Sequence, residues 1–246
     1  RKDVDGFHTI NIGQLASRAC NPQFVPCTPA GILRLLETVC SNDLSGKFAV
    51  VMGRSDIVGN PVSHLLRSRN CTVTQMHRYS TNVQEILAMA DIVVVAIGQP
   101  GFVQGSWLKK GAVVIDVGIN YVPDATKKSG ERLIGDVDFA SALPVVSAIT
   151  PVPGGVGPMT VAMLMENVLI AATRRAEYEA SHPRGVTTLN PLTIQRPVPS
   201  DIEIARAQVP KTLNTLAQEI GILPSELELY GNTKAKVSCE ILDLSL

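Results

Sequence analysis

The sequence predicts an α/β fold, a doubly wound parallel sheet of the Rossmann-like kind, on three observations. Short apolar runs alternate along the chain with helical patterns, the order that builds a parallel sheet covered by helices on both faces. The runs at 91–96 and 112–116 are apolar enough to be buried on both faces, as central parallel strands are. The run at 48–52 precedes a glycine turn and a helical pattern, and it is the first strand of the predicted core.

Local signals predict the remaining elements in chain order. A short helix is expected at 11–15, and a better one opens in the Pro26-Cys27-Thr28-Pro29 segment, with Thr28 as its N-cap and Pro29 at its first helical position. The apolar stripe of that helix comprises Ile32, Leu35, Leu36 and Val39. The later elements are a helix from Gly59 to about Arg69, strands at 72–76 and 133–136, a polar helix at 82–89 and a long helix at 159–179.

The composition changes after the long helix. Residues 181–199 contain four prolines and several threonines, which indicates a linker between domains. Beyond it, the segment 200–203 (Ser-Asp-Ile-Glu) has the pattern of a capping box that opens a helix. After a break at Pro210, a second helix is predicted over 211–220, with Gly221 as its cap. Because this last stretch is too short to close a core of its own, it is interpreted as the beginning of a further domain.

Charge and composition argue against several classes of function. Lys+Arg and Asp+Glu each number 22, and aromatic residues make up only 4%, so neither charge nor base stacking favours a nucleic-acid partner. The five cysteines are scattered without a C-x-x-C pair, which indicates a reduced intracellular compartment and no metal site. Glu166 interrupts the best apolar run, 161–172, so no membrane partner is predicted. The chain begins without methionine, and we expect it to be a fragment.

Two glycines after the first core strand predict a phosphate site. Gly53 ends the strand, and Gly59 stands six residues later where the next helical pattern begins. A helix N-terminus presents unpaired backbone N–H groups and the positive end of the helix dipole, which together bind phosphate. The spacing differs from the common G-x-G-x-x-G, and an ordinary strand-to-helix turn without a ligand is the alternative.

Basic residues on the rim of that turn favour NADP over NAD. An NAD site usually carries an acid after its second strand, where it binds the ribose diol and repels a 2′-phosphate. Here His77 and Arg78 follow the second strand, and Arg54 follows the first glycine. A guanidinium forms short, charge-assisted bonds with phosphate. The alternative is that His77 and Arg78 belong to a solvated loop.

A segment rich in proline and glycine, 150–160, separates the sheet from the long helix. Its sequence is Thr-Pro-Val-Pro-Gly-Gly-Val-Gly-Pro-Met-Thr. The prolines restrict the backbone and the glycines leave space beside it, so this segment is a rigid loop that a ligand can approach closely.

These motifs resemble those of the methylenetetrahydrofolate dehydrogenase/cyclohydrolase family. The matching segments are 2–6 (Lys-Asp-Val-Asp-Gly), 26–29, 53–59 (Gly-Arg-Ser-x-Ile-Val-Gly), 116–120 (Asp-Val-Gly-Ile-Asn), 135–138 (Gly-Asp-Val-Asp) and 150–160. The tail resembles the opening of formate–tetrahydrofolate ligase, through 199–206, 228–231 (Glu-Leu-Tyr-Gly) and 234–237 (Lys-Ala-Lys-Val). The two resemblances together imply a multifunctional folate enzyme.

The resemblance implies a division of the chain into five parts. Residues 1–42 are the remnant of an N-terminal folate-binding, catalytic domain with its connecting helix, and 43–149 are the NADP-binding, Rossmann-like domain. Residues 150–180 supply the folate-pocket loop and a long helix that returns to the catalytic domain. Residues 181–199 are the linker, and 200–246 are the truncated start of the ligase domain.

The resemblance also implies roles for individual residues. The residues expected to bind the NADP cofactor are Gly53, Arg54, Ser55, Gly59, His77, Arg78, Gly98 and Ile119. Asp5 is expected to hold the pterin ring, because a carboxylate accepts its amino and ring N–H groups as a pair. The residues expected to line the folate pocket are Pro153, Gly154, Gly155, Val156 and Gly157. Arg78 departs from the small hydroxyl residue expected in animal relatives, which leaves the detailed 2′-phosphate contacts open.

The implied reaction is hydride transfer from methylenetetrahydrofolate to NADP, followed by hydrolysis of methenyltetrahydrofolate to formyltetrahydrofolate. The hydrolysis needs an acid–base group, which in the family is a lysine in a Tyr-x-x-x-Lys helix upstream of the motif at 2–6. No catalytic residue is therefore assigned in this chain, and we expect a fragment without that lysine to be impaired. Tyr230 and Lys234 have the same spacing but lie in the ligase-like tail, and they are rejected on that context.

Several other polar residues are interpreted as structural. Asp3 is read as a capping carboxylate, and Asp116 and Asp136 as turn caps at strand ends. Cys27 is assigned to packing because no adjacent base is evident. The other functions considered are a non-catalytic NADP-binding or dimerising module and a shikimate-type NADP dehydrogenase. The resemblance favours a homodimer that acts on tetrahydrofolate derivatives, in the cytoplasm or alternatively in mitochondria.

Overall fold

Strands made largely of valine and isoleucine form the centre of the protein. The computed structural model describes residues 3–17, 20–40, 43–127, 130–181, 197–207 and 211–238. In chain order, the first seven strands are β1 (Phe48–Met52), β2 (Thr72–Met76), β3 (Ile92–Val95), β4 (Val113–Asp116), β5 (Asn120–Pro123), β6 (Glu131–Ile134) and β7 (Ala148–Ile149). Five of them form a parallel sheet in the order β2-β1-β3-β4-β7. The predicted fold class is confirmed.

Helices cover both faces of this sheet. In chain order they are α1 (Thr9–Ala16), α2 (Cys27–Cys40), α3 (Gly59–Ser68), α4 (Val83–Leu87), α5 (Phe139–Ala142) and α6 (Val156–Ser181). Successive strand residues point to opposite faces. Val51 and Val94 therefore pack with residues of α2, α3 and the start of α6, whereas Val50 and Val93 pack with residues of α4 and α5 on the other face. This double cover explains why the central strands are apolar throughout.

The helix boundaries differ from the predicted ones near the prolines. Helix α2 begins at Cys27, because Ala30 donates its backbone N–H to the carbonyl of Pro26 at 2.9 Å and so closes the first turn early. Thr28, predicted as the N-cap, therefore lies inside the helix. Val39 was predicted to complete the apolar stripe of α2, but it is 51% exposed near the end of the helix. Helix α6 begins at Val156, three residues before the predicted start.

The strand predicted at 133–136 was expected in the parallel sheet, but it lies outside that sheet. Leu133 and Ile134 belong to β6, which pairs antiparallel with β5 in a separate hairpin. The fifth strand of the parallel sheet is β7, a two-residue element that was not predicted. The parallel sheet is therefore completed at its edge by a strand too short to give a periodic pattern.

The chain divides into two compact units, Arg1–Ala171 and Ala172–Leu246. The later elements of the second unit are α7 (Asp201–Ala207), α8 (Leu213–Glu219) and an antiparallel hairpin of β8 (Leu227–Leu229) with β9 (Ala235–Val237). The carboxylate of Glu203 accepts the backbone N–H of Ser200 at 2.9 Å, which is half of the predicted capping box. Gly221 ends α8 with a φ of +76°, as predicted for a cap. Most of the predicted linker, 182–196, and Pro210 lie outside the described residues.

Helix α6 is long and apolar, although Glu166 interrupts its apolar run as the sequence indicated. Within the described ranges, the segment Val156–Tyr178 of α6 is the one helix whose length and composition would allow it to cross a membrane. Even with Glu166, the segment as a whole keeps the length and composition of a possible membrane span. The same length and composition also occur in core helices of proteins that never enter a bilayer, so the observation alone assigns no location.

Candidate functional site

The turn after β1 is built on two close backbone approaches. Gly53 has a φ of +122°, and a Cβ there would lie 2.3 Å from the carbonyl oxygen of Ala96, beyond the end of β3. A Cβ at Gly59 would lie 2.3 Å from the carbonyl oxygen of Gly53. Only glycine fits at either position, because no side-chain carbon approaches backbone oxygen this closely. The first residue of α3 therefore sits directly against the end of β1.

Polar side chains hold this turn in place. The hydroxyl oxygen of Ser55 accepts the N–H groups of Val58 and Gly59, each at 3.2 Å, and so caps the start of α3. The side-chain amide of Gln75, from β2, donates to the carbonyl of Gly53 at 3.1 Å and to the side-chain oxygen of Asn60 at 2.9 Å. Sequence reasoning missed Gln75, because nothing local indicates that an exposed strand glutamine reaches across to the neighbouring turn.

The segment after β2 forms a second ordered turn beside the first. His77 donates its N–H to the hydroxyl oxygen of Ser80 at 3.0 Å, and its Nδ1 accepts the N–H of Tyr79 at 3.2 Å. The guanidinium carbon of Arg78 lies 4.7 Å from the centroid of the Tyr79 ring, a cation–π contact. Hydrogen bonds and a cation–π contact order this segment, although Arg78 and Tyr79 are exposed.

These two turns enclose a cavity of about 590 Å³. Gly53, Arg54, His77 and Arg78, four of the residues predicted to bind the cofactor, line it. The cavity lies at the carboxyl ends of the neighbouring strands β1 and β3, between which the strand order reverses. Doubly wound sheets bind nucleotides at such a point.

Four other predicted cofactor residues, Ser55, Gly59, Gly98 and Ile119, are not among the lining residues of this cavity. Ser55 and Gly59 lie in the adjoining turn. Gly98, with a φ of +66°, follows β3, and Ile119 is 66% exposed between β4 and β5. All four positions are nevertheless at the carboxyl edge of the sheet.

Two buried carboxylates shape the edge of the sheet beyond this cavity. Oδ1 of Asp116 accepts the N–H groups of Gly118 and Asp136, and Oδ2 accepts that of Val137, each at 2.9 Å. Burial, the largest influence, raises the pKa of Asp116, and the neighbouring Asp136 carboxylate acts in the same direction, whereas the three N–H groups act to lower it. The predicted role of Asp116 as a turn cap is confirmed.

Asp136 is fully buried and caps a different turn. Its Oδ2 accepts the N–H groups of Ile97 at 2.7 Å and Gly98 at 2.9 Å, and its Oδ1 accepts the side-chain amide of Asn120 at 2.8 Å. A Cβ at Gly118 would lie 2.5 Å from this carboxylate. The segments after β3 and β4, which carry the predicted cofactor residues Gly98 and Ile119, are thus tied to the same carboxylate.

The turn that carries Asp5 is held by its neighbours and leaves this side chain exposed. Gly6 has a φ of +75°, and a Cβ there would lie 2.8 Å from the backbone nitrogen of Pro26. Asp3 accepts the N–H groups of Phe7 at 3.0 Å and His8 at 2.8 Å, which confirms its predicted capping role. Its carboxylate also accepts the side-chain amide of Asn11 at 2.9 Å. Burial alone would raise the pKa of Asp3, but these hydrogen bonds outweigh it and lower that pKa.

The predicted folate loop leads directly into α6. Pro153, Gly154 and Gly157 are exposed, whereas Val156 is 6% exposed and anchors the loop in the core. A Cβ at Gly155 would lie 2.6 Å from the carbonyl oxygen of Pro151. The loop thus presents backbone to its surroundings, as the sequence predicted for this segment.

A second cavity, of about 460 Å³, lies where this loop leaves the sheet. Its lining includes Pro151 and Val152 from the start of the loop, together with Asp116, Gly135 and Arg132. The five predicted folate residues themselves are not part of that lining.

The remaining candidates show structural roles. Cys27 is 3% exposed, and burial, followed by the charge of Asp5, raises the pKa of its thiol, as expected for a packing residue. Tyr230 and Lys234 do not share a helix face. The backbone N–H of Tyr230 donates to the carbonyl of Lys234 at 2.8 Å, across the β8–β9 hairpin. Within the described part of the chain, no group of three or more histidine, cysteine, aspartate or glutamate side chains is placed to hold a metal ion.

Two family models match the chain. One, described as Tetrahydrofolate dehydrogenase/cyclohydrolase, NAD(P)-binding domain, matches residues 26–176. The other, described as Formate--tetrahydrofolate ligase, matches residues 199–246. The first match covers the dehydrogenase/cyclohydrolase motifs from 26 to 160 but not the one at 2–6, and the second covers the ligase-like motifs of the tail.

Curated relatives match nearly the whole chain. It is 57% identical over 241 residues to the cytoplasmic C-1-tetrahydrofolate synthase of Schizosaccharomyces pombe, covering 98% of this chain and 25% of that protein. It is 55% identical over 241 residues to the mitochondrial C-1-tetrahydrofolate synthase of Saccharomyces cerevisiae, covering 98% of this chain and 24% of that protein. The chain therefore spans about a quarter of the length of the curated relatives it matches.

Solved structures resemble the first unit. The crystal structure of Trypanosoma brucei N5,N10-methylenetetrahydrofolate dehydrogenase-cyclohydrolase (FolD) complexed with NADP cofactor and inhibitor is 46% identical with a TM-score of 0.68, covering 71% of this chain and 59% of that one. The bifunctional FolD methylenetetrahydrofolate dehydrogenase/cyclohydrolase from Campylobacter jejuni is 43% identical with a TM-score of 0.63, over the same shares of both chains.

Proposed function

Because the chain belongs to the tetrahydrofolate dehydrogenase/cyclohydrolase family, we propose that it serves the NADP-dependent oxidation of methylenetetrahydrofolate to methenyltetrahydrofolate and the hydrolysis of that product to formyltetrahydrofolate. The ligase match at 199–246 supports a protein that also carries formate–tetrahydrofolate ligase activity. The observation that carries the proposal is the cavity of about 590 Å³ at the β1 turn, lined by two arginines and a histidine.

The residues of the cavity fit a dinucleotide phosphate. Gly53 and Gly59 let the backbone of the turn approach a pyrophosphate, because neither position has room for a side chain. The hydroxyl oxygen of Ser55 accepts two backbone N–H groups, which leaves its proton to donate to a phosphate oxygen. Arg54 and Arg78 lie on the rim, where guanidinium groups pair with the 2′-phosphate that distinguishes NADP from NAD.

His77, Gly98 and Ile119 complete the proposed cofactor site. His77 lies on the same rim as the arginines. Gly98 and Ile119 follow β3 and β4, and the Asp136 carboxylate holds both of their segments. When bound, NADP supplies the acceptor for the hydride that leaves the methylene carbon. The protein contributes orientation by keeping these segments at one edge of the sheet.

Asp5 and the loop formed by Pro153, Gly154, Gly155, Val156 and Gly157 are proposed to bind the folate. The exposed Asp5 carboxylate accepts the amino and ring N–H groups of the pterin as a pair. The loop offers backbone at glycines where a ring can pack closely. We assign the acid–base step of the hydrolysis to none of the described residues.

The test measures NADP and NAD binding by isothermal titration to the full-length gene product. Replacing Arg54 or Arg78 by alanine is expected to weaken NADP binding by roughly 10- to 100-fold, since each removes a charge-assisted bond worth roughly 1.5–3 kcal/mol. NAD binding is expected to change little. Arg34→Ala removes an exposed guanidinium on α2 and is the matched control. Equal losses for NADP and NAD would contradict the assignment of the 2′-phosphate, and failure to bind either would contradict the proposed function.

Substrate class, assembly and compartment are separate parts of the proposal. In the presence of NADP, a folate analogue should raise the melting temperature, whereas shikimate should not.

A homodimer is proposed from the family resemblance and is tested by sedimentation of the purified protein. The cytoplasm is the proposed compartment and mitochondria the alternative, because relatives named for either compartment match 98% of the chain. Cell fractionation distinguishes the two.

A further inference from the structure

One side chain of α6 joins two distant segments next to Asp5. Asn167 is 9% exposed, and its Nδ2 donates to the carbonyl oxygen of Val4 at 2.9 Å and to that of Val25 at 3.0 Å. The same nitrogen also lies within hydrogen-bond distance of the Cys27 sulfur, so the two protons of this amide are shared among three acceptors. Val4 directly precedes Asp5, so the amide of Asn167 is attached to the peptide beside the proposed pterin-binding carboxylate.

The two carbonyl groups belong to segments that pack on each other. A Cβ at Gly6 would lie 2.9 Å from the carbonyl carbon of Val25, so the Asp5 turn rests on the segment that precedes α2. The thiol of Cys27 lies 3.7 Å from the carbonyl oxygen of Val4 and 3.7 Å from the Asn167 amide, which fills the remaining space around it. A buried amide that is so enclosed has little freedom to follow a shifted turn.

Helix α6 connects this amide to the proposed folate loop. The helix begins at Val156, within that loop, and Asn167 follows eleven residues later, or about 16 Å along the helix axis at roughly 1.5 Å per residue. An α-helix is stiff over this length. Helix α6 thus has the proposed folate loop at its start and, three turns later, Asn167, which anchors the Asp5 turn. One rigid helix sets the distance between the loop and that turn.

We propose that Asn167 is a positioning residue for folate binding, which holds Asp5 at the distance from the loop of residues 153–157 that the pterin requires. This inference rests on the proposed function. Asn167 is buried behind the turn and acts through Val4 and Asp5 without touching the ligand. Without the Asn167 amide, the Asp5 carboxylate is still present but displaced. We expect weaker folate binding and unchanged NADP binding, because the NADP cavity is lined by other segments.

The test compares steady-state kinetics of variants of the full-length gene product. Asn167→Leu is similar in size and cannot donate, and it is expected to raise the KM for methylenetetrahydrofolate about tenfold, as for the loss of one well-placed polar contact. The KM for NADP should stay within about twofold. Asn167→Gln keeps the donors and should lie between Asn167→Leu and the wild type. Thr38→Val is the control: it removes a 2.9 Å hydrogen bond from a hydroxyl to the carbonyl of Arg34 within α2, in neither proposed binding site.

A double-mutant cycle separates positioning from general stability. In an Asp5→Ala background, Asn167→Leu should raise the KM for methylenetetrahydrofolate little further, because a positioning residue has no effect once the positioned group is gone. Fully additive effects, an equal rise in the KM for NADP, or an equal effect of Thr38→Val would each overturn the inference. If Asn167→Leu does not fold, the cycle is run with Asn167→Gln. A wild-type protein that neither binds NADP nor oxidises methylenetetrahydrofolate refutes the proposed function instead.

Discussion

Replacing Asp116 by asparagine should destabilise the first unit, because the new amide opposes a buried backbone donor. The carboxylate accepts three N–H groups at 2.9 Å. Asparagine keeps two of these bonds when its oxygen occupies the Oδ1 position, but its NH₂ group then faces the N–H of Val137. Two buried donors lose their partners, at roughly 1–3 kcal/mol each, and removing a buried charge offsets part of this. The expected net loss is about 2–4 kcal/mol.

Fluorescence of Trp107 measures this loss during urea unfolding. It is the only tryptophan of the chain and lies in a 3₁₀ turn of the first unit, so its signal reports unfolding of that unit. In thermal unfolding, a loss of about 3 kcal/mol corresponds to roughly 6–12 °C for a unit of this size. Asp138→Asn is the control, since the Asp138 carboxylate makes no capping bond to α5 in the described structure. A wild-type midpoint for Asp116→Asn, or equal shifts in both variants, would refute the reasoning.

Three further outcomes are expected. Gly53→Ala should abolish NADP binding and cost more than Gly46→Ala, which meets open space and pays only the left-handed backbone penalty of about 1–2 kcal/mol; equal costs in urea unfolding would contradict this. A hydrogen bond from Lys109 is the largest cause that lowers the pKa of Asp91. The ionised Asp91 carboxylate therefore stabilises the folded state above its ordinary pKa of 3.8, and this stability is lost as the pH falls below that value. Asp91→Asn should flatten the plot of stability against pH in acid, and parallel curves for variant and wild type would refute the ion pair. Leu36→Ala, at a fully buried position, should cost about 2–5 kcal/mol in urea unfolding, and a change below about 1 kcal/mol would show that the site is not tightly packed.

Local sequence was sufficient for the central strands and for the turn at the cofactor cavity. β3 is a run of apolar residues buried along its whole length, and β1 and β4 are buried and apolar apart from the half-buried Phe48 and the buried Asp116. Such runs indicate central parallel strands. The glycine requirement at Gly53 also has a local signal, because the residue stands between a strand and a helix start. Arg54, His77 and Arg78 could be assigned to one rim because parallel strands end at the same edge of a sheet.

Strand pairing was decided only by the tertiary structure. β7 has two residues, Ala148 and Ile149, and two residues carry no periodicity. They form a strand because the edge of β4 offers unpaired backbone groups at Val113 and Val114. Leu133 and Ile134 are equally apolar, yet they pair with β5 in a hairpin. Leu133 pairs with Tyr121 and Ala148 pairs with Val113, and the local pattern of neither segment shows which partner it takes.

The sequence by itself determined the family, the parallel sheet and most candidate ligand-binding positions, since each depends on residues close together in the chain. Only the tertiary structure decided what holds those positions in place. The carboxylates of Asp116 and Asp136 and the amide of Asn167 look like ordinary polar residues until the chain folds. Burial then forces each to satisfy backbone groups 2 to 163 residues away, and these bonds set the distances between segments that the sequence lists separately.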